Sequence, residues 1–133
     1  MLYRSAHYLQ SFPWCSEIWS AYVGIAVPGV VGVFLFEVKP AAGESVHPWV
    51  WVVVGDVPRA YISAEDAPNP AAALDGYIGA MEEWVDAARR GRGVDDLIPV
   101  NVTPTRENAD RLASRLDLLE RDVLSQYESD LDE

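Results

Sequence analysis

The sequence predicts an α+β fold, and three observations lead there. Val30–Val38 and Trp49–Val54 are continuous apolar runs rich in β-branched and aromatic residues, the composition of buried strands. The stretch between them, "KPAAGESVHP", has the Pro, Gly and Ser of a loop joining a hairpin. Two later stretches, about 70–90 and 106–126, repeat apolar residues at the 3.6-residue period of amphipathic helices. The prediction is an N-terminal helical segment, a small antiparallel sheet built on the hairpin, and two long helices packed on it. A chain of 133 residues, half of them hydrophobic, fits one domain over 1–133.

The elements follow in order. Residues 1–27 read as helical. Pro13 separates a short helix over 2–10 from a second one, with Ser11 near the cap of the second and Pro13 in its first turn. Trp14, Ile18, Trp19 and Tyr22 then form a stripe at helical spacing. Ile18–Phe36 is uncharged for 19 residues, close to the ~20 of a spanning helix. Pro28-Gly29 interrupts it and no basic cluster anchors either end, so the reading is a helix end, a Pro-Gly turn and a buried strand, with no membrane.

Both hairpin strands are apolar on both faces, with Val30, Gly32, Phe34, Phe36 and Val38 backing Val31, Val33, Leu35 and Glu37. Such strands need cover on both sides, from helices or from a homodimer that stacks sheets or pairs edges. Ala60–Ser63 is a third short strand or an extended connector. Asn69 is an N-cap, with Pro70 at the first helical position. Leu74, Tyr77, Ile78, Met81, Trp84, Val85 and Ala88 form the apolar stripe. Arg89 and Arg90 suit the negative end of the helix, and Gly91 stops it.

"RGVDDLIPVNVTPT" is a connector whose Leu97, Ile98, Val100 and Val102 are pinned to the core or add a short strand. Thr105 caps the last helix, with the stripe Ala109, Leu112, Ala113, Leu116, Leu119 and Val123. Residues 128–133 are an acidic tail expected to fray.

The net charge is −11 and lies almost wholly in the second half. Residues 65–133 hold 17 of the 21 acids and seven arginines, a net of −10. Such a surface repels nucleic acid and anionic lipid and attracts a basic protein. The single cysteine, Cys15, excludes an internal disulfide and a Cys-cluster zinc site and suits the cytoplasm. No signal-peptide pattern is visible.

Few residues point to chemistry. His7 and His47 are far apart and outside any ligand-spaced pattern, so no metal is expected. Cys15 sits among Trp14, Ile18 and Trp19, surroundings that raise a thiol pKa and make it structural. Glu37 ends a strand face otherwise built of Val31, Val33 and Leu35. Burial would make it an acid or base, but a place at the strand end, with Lys39 beside it, is the expectation. Asp56 follows the second strand, where ligand-binding acids often stand, and Arg59 is near enough to pair with it across Val57-Pro58. Tyr61 adds an aromatic. Glu37, Asp56, Arg59 and Tyr61 are thus the ligand-binding candidates, and no catalytic residue is assigned. GxGxxG, P-loop and G-x-S-x-G patterns are absent, and no cofactor is expected.

At "FLFEV", "WVVVGDVPRAYI", "APNPAAALDGYIGAMEEWV" and "DDLIPVNVTPT…ADRLASRLDLL" the chain resembles a family of small bacterial proteins of unknown function, over about residues 30–124. The resemblance implies a bacterial cytosolic origin and carries no functional residues. The functional expectation is a non-enzymatic, homodimeric interaction module, an acidic immunity- or antitoxin-like binder of a basic protein. The alternative is a small-ligand binder, or an enzyme of unrecognised type, with its site at the loop after strand 49–54.

Overall fold

A computed structural model describes residues 1–43 and 47–131, and its architecture is α+β. Helix α1 (Leu2–Gln10) is followed by four strands: β1 (Cys15–Val27), β2 (Val31–Pro40), β3 (Trp49–Gly55) and β4 (Ala60–Ser63). They form one antiparallel sheet in the order β1-β2-β3-β4. Helices α2 (Pro70–Arg89) and α3 (Arg106–Leu118) follow.

The expected hairpin is β2–β3, with Val33 opposite Val53 and Phe36 opposite Val50. Its two apolar faces feed two cores. Val31, Val33, Trp51 and Val53 pack with Leu74, Tyr77, Met81 and Trp84 of α2 and Leu112 and Leu116 of α3. Phe34, Phe36, Val38, Val50, Val52 and Val54 pack with Leu9 of α1 and with Cys15. One chain therefore covers both faces, and burial of the strands does not require a second copy.

The N-terminal expectation needs correction. Only α1 is helical, and Cys15–Val27 is a strand of 13 residues, not a helix with a Trp14–Ile18–Trp19–Tyr22 stripe. Those residues match a helical period by coincidence. Ile18, Trp19, Tyr22, Val23, Ile25 and Val27 are β-branched or aromatic, and pairing with β2 decides their state. Pro28 and Gly29 then reverse the chain. Gly29 has φ 75° and Val30 N–H donates to Val27 O at 2.9 Å, the geometry of a type II turn with Pro and Gly at its centre.

Helix α2 starts where its cap says it should. Asn69 Oδ1 accepts from Ala72 N–H at 2.8 Å, and Pro70 opens the first turn. Gly91, at φ 67°, lies just past the other end. Thr105 Oγ1 likewise accepts from Asn108 N–H at 3.1 Å to start α3. After Leu118 the chain stays helical but loses regularity. A π-type turn over Leu119–Val123 leads to a 3₁₀ segment over Leu124–Tyr127 and a last short helix α4 (Glu128–Leu131). Leu119, Val123 and Leu124 all remain buried through this change of pitch. Of the tail expected to fray, 132–133 lie outside the described residues, and Asp130 O accepts from Asn69 Nδ2 at 3.0 Å. No helix among the described residues is long and apolar enough to cross a membrane.

Candidate functional site: one open sheet edge and one aromatic groove

The two edges of the sheet differ. Strand β4 is four residues long, follows Pro58, and carries Tyr61, whose ring meets Phe12 and Trp14 of the α1–β1 connection. So short an edge is poorly suited to pairing with another chain. Strand β1 is the opposite edge, and its outer backbone groups have no strand partner among the described residues. Trp19, Tyr22 and Val23 on it are 56%, 55% and 61% exposed. Its pairing with β2 shifts register after Cys15, Ile18 and Val23, leaving Ser20–Val23 as a regular run. The only charge on β1 is Glu17, near one end.

The second feature is a groove beside β4, with a volume of about 570 Å³. Tyr8 and Phe12 come from α1 and the turn after it, Pro58–Tyr61 from the loop into β4, and Ile98–Asn101 from the connector. Its aromatic side is a continuous cluster. Phe12 meets Tyr8 edge-on with centroids 5.1 Å apart, stacks on Trp14 at 5.4 Å, and meets Tyr61 at 5.0 Å. The Arg59 guanidinium carbon sits 5.2 Å above the Tyr8 ring, a cation–π contact. Burial holds the Tyr8 hydroxyl above its ordinary pKa, with Tyr61 adding and Arg59 opposing. Beneath the groove the Tyr77 hydroxyl donates to the Pro58 carbonyl and fixes the loop, and burial raises its pKa strongly.

The four residues singled out from the sequence do not form one site. Arg59 and Tyr61 both line this groove. Asp56 does not pair with Arg59. It reaches across to α3, where its Oδ2 lies 3.3 Å from Arg115 Nε, in a neighbouring groove that shares Pro58 and Val100. Glu37 is at the far end of the sheet, where its Oε1 accepts from Ser20 on β1 at 3.1 Å. Lys39 forms no ion pair with it among the described residues.

Cys15 is buried, and burial raises its thiol pKa, which makes it a poor nucleophile. His47 accepts from Trp49 N–H in the turn before β3. No group of three His, Cys, Asp or Glu side chains among the described residues is placed to hold a metal ion.

Sequence reasoning missed Tyr8, Phe12 and Trp14 as partners of the loop 57–61. The available signal was aromatic density around Pro13, which the helical reading absorbed.

The fold and these two surfaces define a small α+β protein with an open sheet edge and a polar-tipped aromatic groove. No protein-family model matches the chain, and no curated protein or solved structure is significantly similar to it. These comparisons bring no relative whose activity could be transferred, and the resemblance expected over about 30–124 gains no support from them.

Proposed function

We propose that this is a non-enzymatic interaction protein of the cytoplasm that acts as a homodimer joined along β1. The observation that carries the reading is the long β1 edge, with Trp19, Tyr22 and Val23 exposed on it. An apolar edge of this kind is normally paired, covered or charged. Electrostatics favours a second copy. The chain carries −11 overall, yet Trp19–Val27 has no charge, so two copies approach there with least repulsion. An antiparallel pair centred near Ala21 and Tyr22 sets the two Glu17 side chains at opposite ends. The single cysteine supports the cytoplasmic placement.

Light scattering at micromolar concentration tests the dimer. The expected mass is twice the 14.7 kDa chain, and Val23→Lys is expected to give the single-chain mass with an unchanged circular dichroism spectrum. A single-chain mass for the natural sequence rejects the reading.

The acidic half supplies the second part of the proposal, a basic protein partner of the kind an immunity- or antitoxin-like binder neutralises. Glu82 and Asp86 of α2 and Asp117 and Glu120 line a groove between α2 and α3, with Arg89 as its one cation among the described residues. A deca-lysine peptide is expected to bind there in low salt and to lose affinity in the double variant Glu82→Gln/Glu120→Gln. Equal binding by both proteins rejects this part.

A further inference from the structure

We propose that the groove between α1, the loop into β4 and residues 98–101 binds a small aromatic carboxylate, with Arg59 as its anion anchor. Three observations converge on this class of ligand.

The first is charge. The chain has 21 acids and ten bases, and Arg89, Arg90, Arg111, Arg115 and Arg121 are each paired with a carboxylate. Arg59 has no such partner among the described residues, and no acid lines its groove. A guanidinium with no carboxylate beside it, on the exposed rim of an acid-free groove, favours an anion.

The second is geometry. The Arg59 guanidinium carbon lies 5.2 Å from the centre of the Tyr8 ring, and its N–H groups make no hydrogen bond among the described residues. A guanidinium placed in this way presents paired donors that match the two oxygens of a carboxylate. One cation suits a monoanion better than a phosphate dianion.

The third is shape. The rest of the wall is mostly apolar: the rings of Phe12 and Tyr61 with the aliphatic side chains of Pro58, Ile98, Pro99 and Val100. Two aromatic rings and an aliphatic side along a groove of about 570 Å³ favour an apolar ring system that can stack on them. The groove lies on the β4 side of the sheet, so occupancy of the groove and pairing along β1 are independent.

The test uses 2-naphthoate as probe and 2-naphthalenemethanol as its neutral counterpart, followed by NMR of the full-length protein labelled with nitrogen-15. Saturable shifts are expected at the Arg59 side chain, Tyr61 and Asn101, with a Kd of roughly 0.1–1 mM for a ligand this small. The alcohol is expected to bind at least about tenfold more weakly. Arg59→Gln is expected to abolish that preference and bind acid and alcohol alike. Because the acid–alcohol comparison is made on the natural sequence, it stands even if the variant folds poorly. Equal affinities on the natural sequence overturn the proposal, and so does the absence of saturable shifts at these residues.

Discussion

The indole N–H of Trp51, in the middle of β3, donates to the carbonyl of Ala67 at 2.9 Å in a fully buried setting. The bond ties the sheet to the turn that leads into α2, so the first residues of that helix are placed by a strand 16 positions earlier. Trp51→Phe keeps most of the apolar volume but removes the donor and leaves the Ala67 carbonyl unpaired. The expected loss of stability is about 1–3 kcal/mol, read as a lower urea midpoint with an unchanged slope.

Gly55 ends β3 with φ 139°, and a Cβ built on it would come within 2.4 Å of the Val30 carbonyl oxygen. Both the backbone angle and the close approach require glycine. Gly55→Ala is expected to cost roughly 2–4 kcal/mol, and a melting temperature within a degree of the parent contradicts this account.

The buried Tyr77 hydroxyl sets a pH dependence. Its pKa in the folded protein lies well above the ordinary tyrosine value of 10.0, chiefly through burial. Below about pH 10 both states keep the proton and the full stability is present. As pH rises beyond that, the unfolded chain releases the proton first, and stability falls. Tyr77→Phe loses the bond to Pro58, costing about 1 kcal/mol at pH 7. It is also expected to flatten the decline between pH 9 and 11, because the titrating group is gone. Urea midpoints measured across that range for both proteins decide the point.

The Asp56–Arg115 pair is expected to contribute little, although it is the only ion pair among the described residues that links the loop after β3 to α3. Its side chains are 69% and 45% exposed, and exposed pairs are typically worth under about 1 kcal/mol. A double-mutant cycle with Asp56→Asn and Arg115→Gln is expected to give a coupling below that, shrinking further in 0.5 M salt. A larger coupling would mean that this contact organises the neighbouring groove.

Legibility in the sequence tracked how local the deciding interaction is. Helix α2 was readable end to end because Asn69, Pro70 and Gly91 act within a turn of where they stand. The β2–β3 hairpin was readable because its strands are apolar on both faces and joined by a short loop. Strand β1 was not, since its state depends on pairing with β2, and its aromatic spacing also suits a helix. The irregular turns after Leu118 carry no local mark, being set by which side chains must stay buried. The same distinction explains the candidate residues. Arg59 and Tyr61 meet in one groove because they stand two residues apart at the start of β4. Tyr8 and Phe12 reach it from some 50 residues away. Asp56 pairs with Arg115 of α3, a partner 59 positions along the chain that no local turn pattern marks.

The unequal edges of the sheet have a consequence for assembly size. A sheet with two open edges can add chains on both sides and grow into a fibre. Here the β4 edge is only four residues long, with Phe12 and Trp14 packed on its Tyr61, so β1 offers the longer pairing edge. Pairing of that side about a two-fold axis uses up both copies at once. In the dimer proposed above, the expected assembly is therefore closed at two copies, without growth into a fibre.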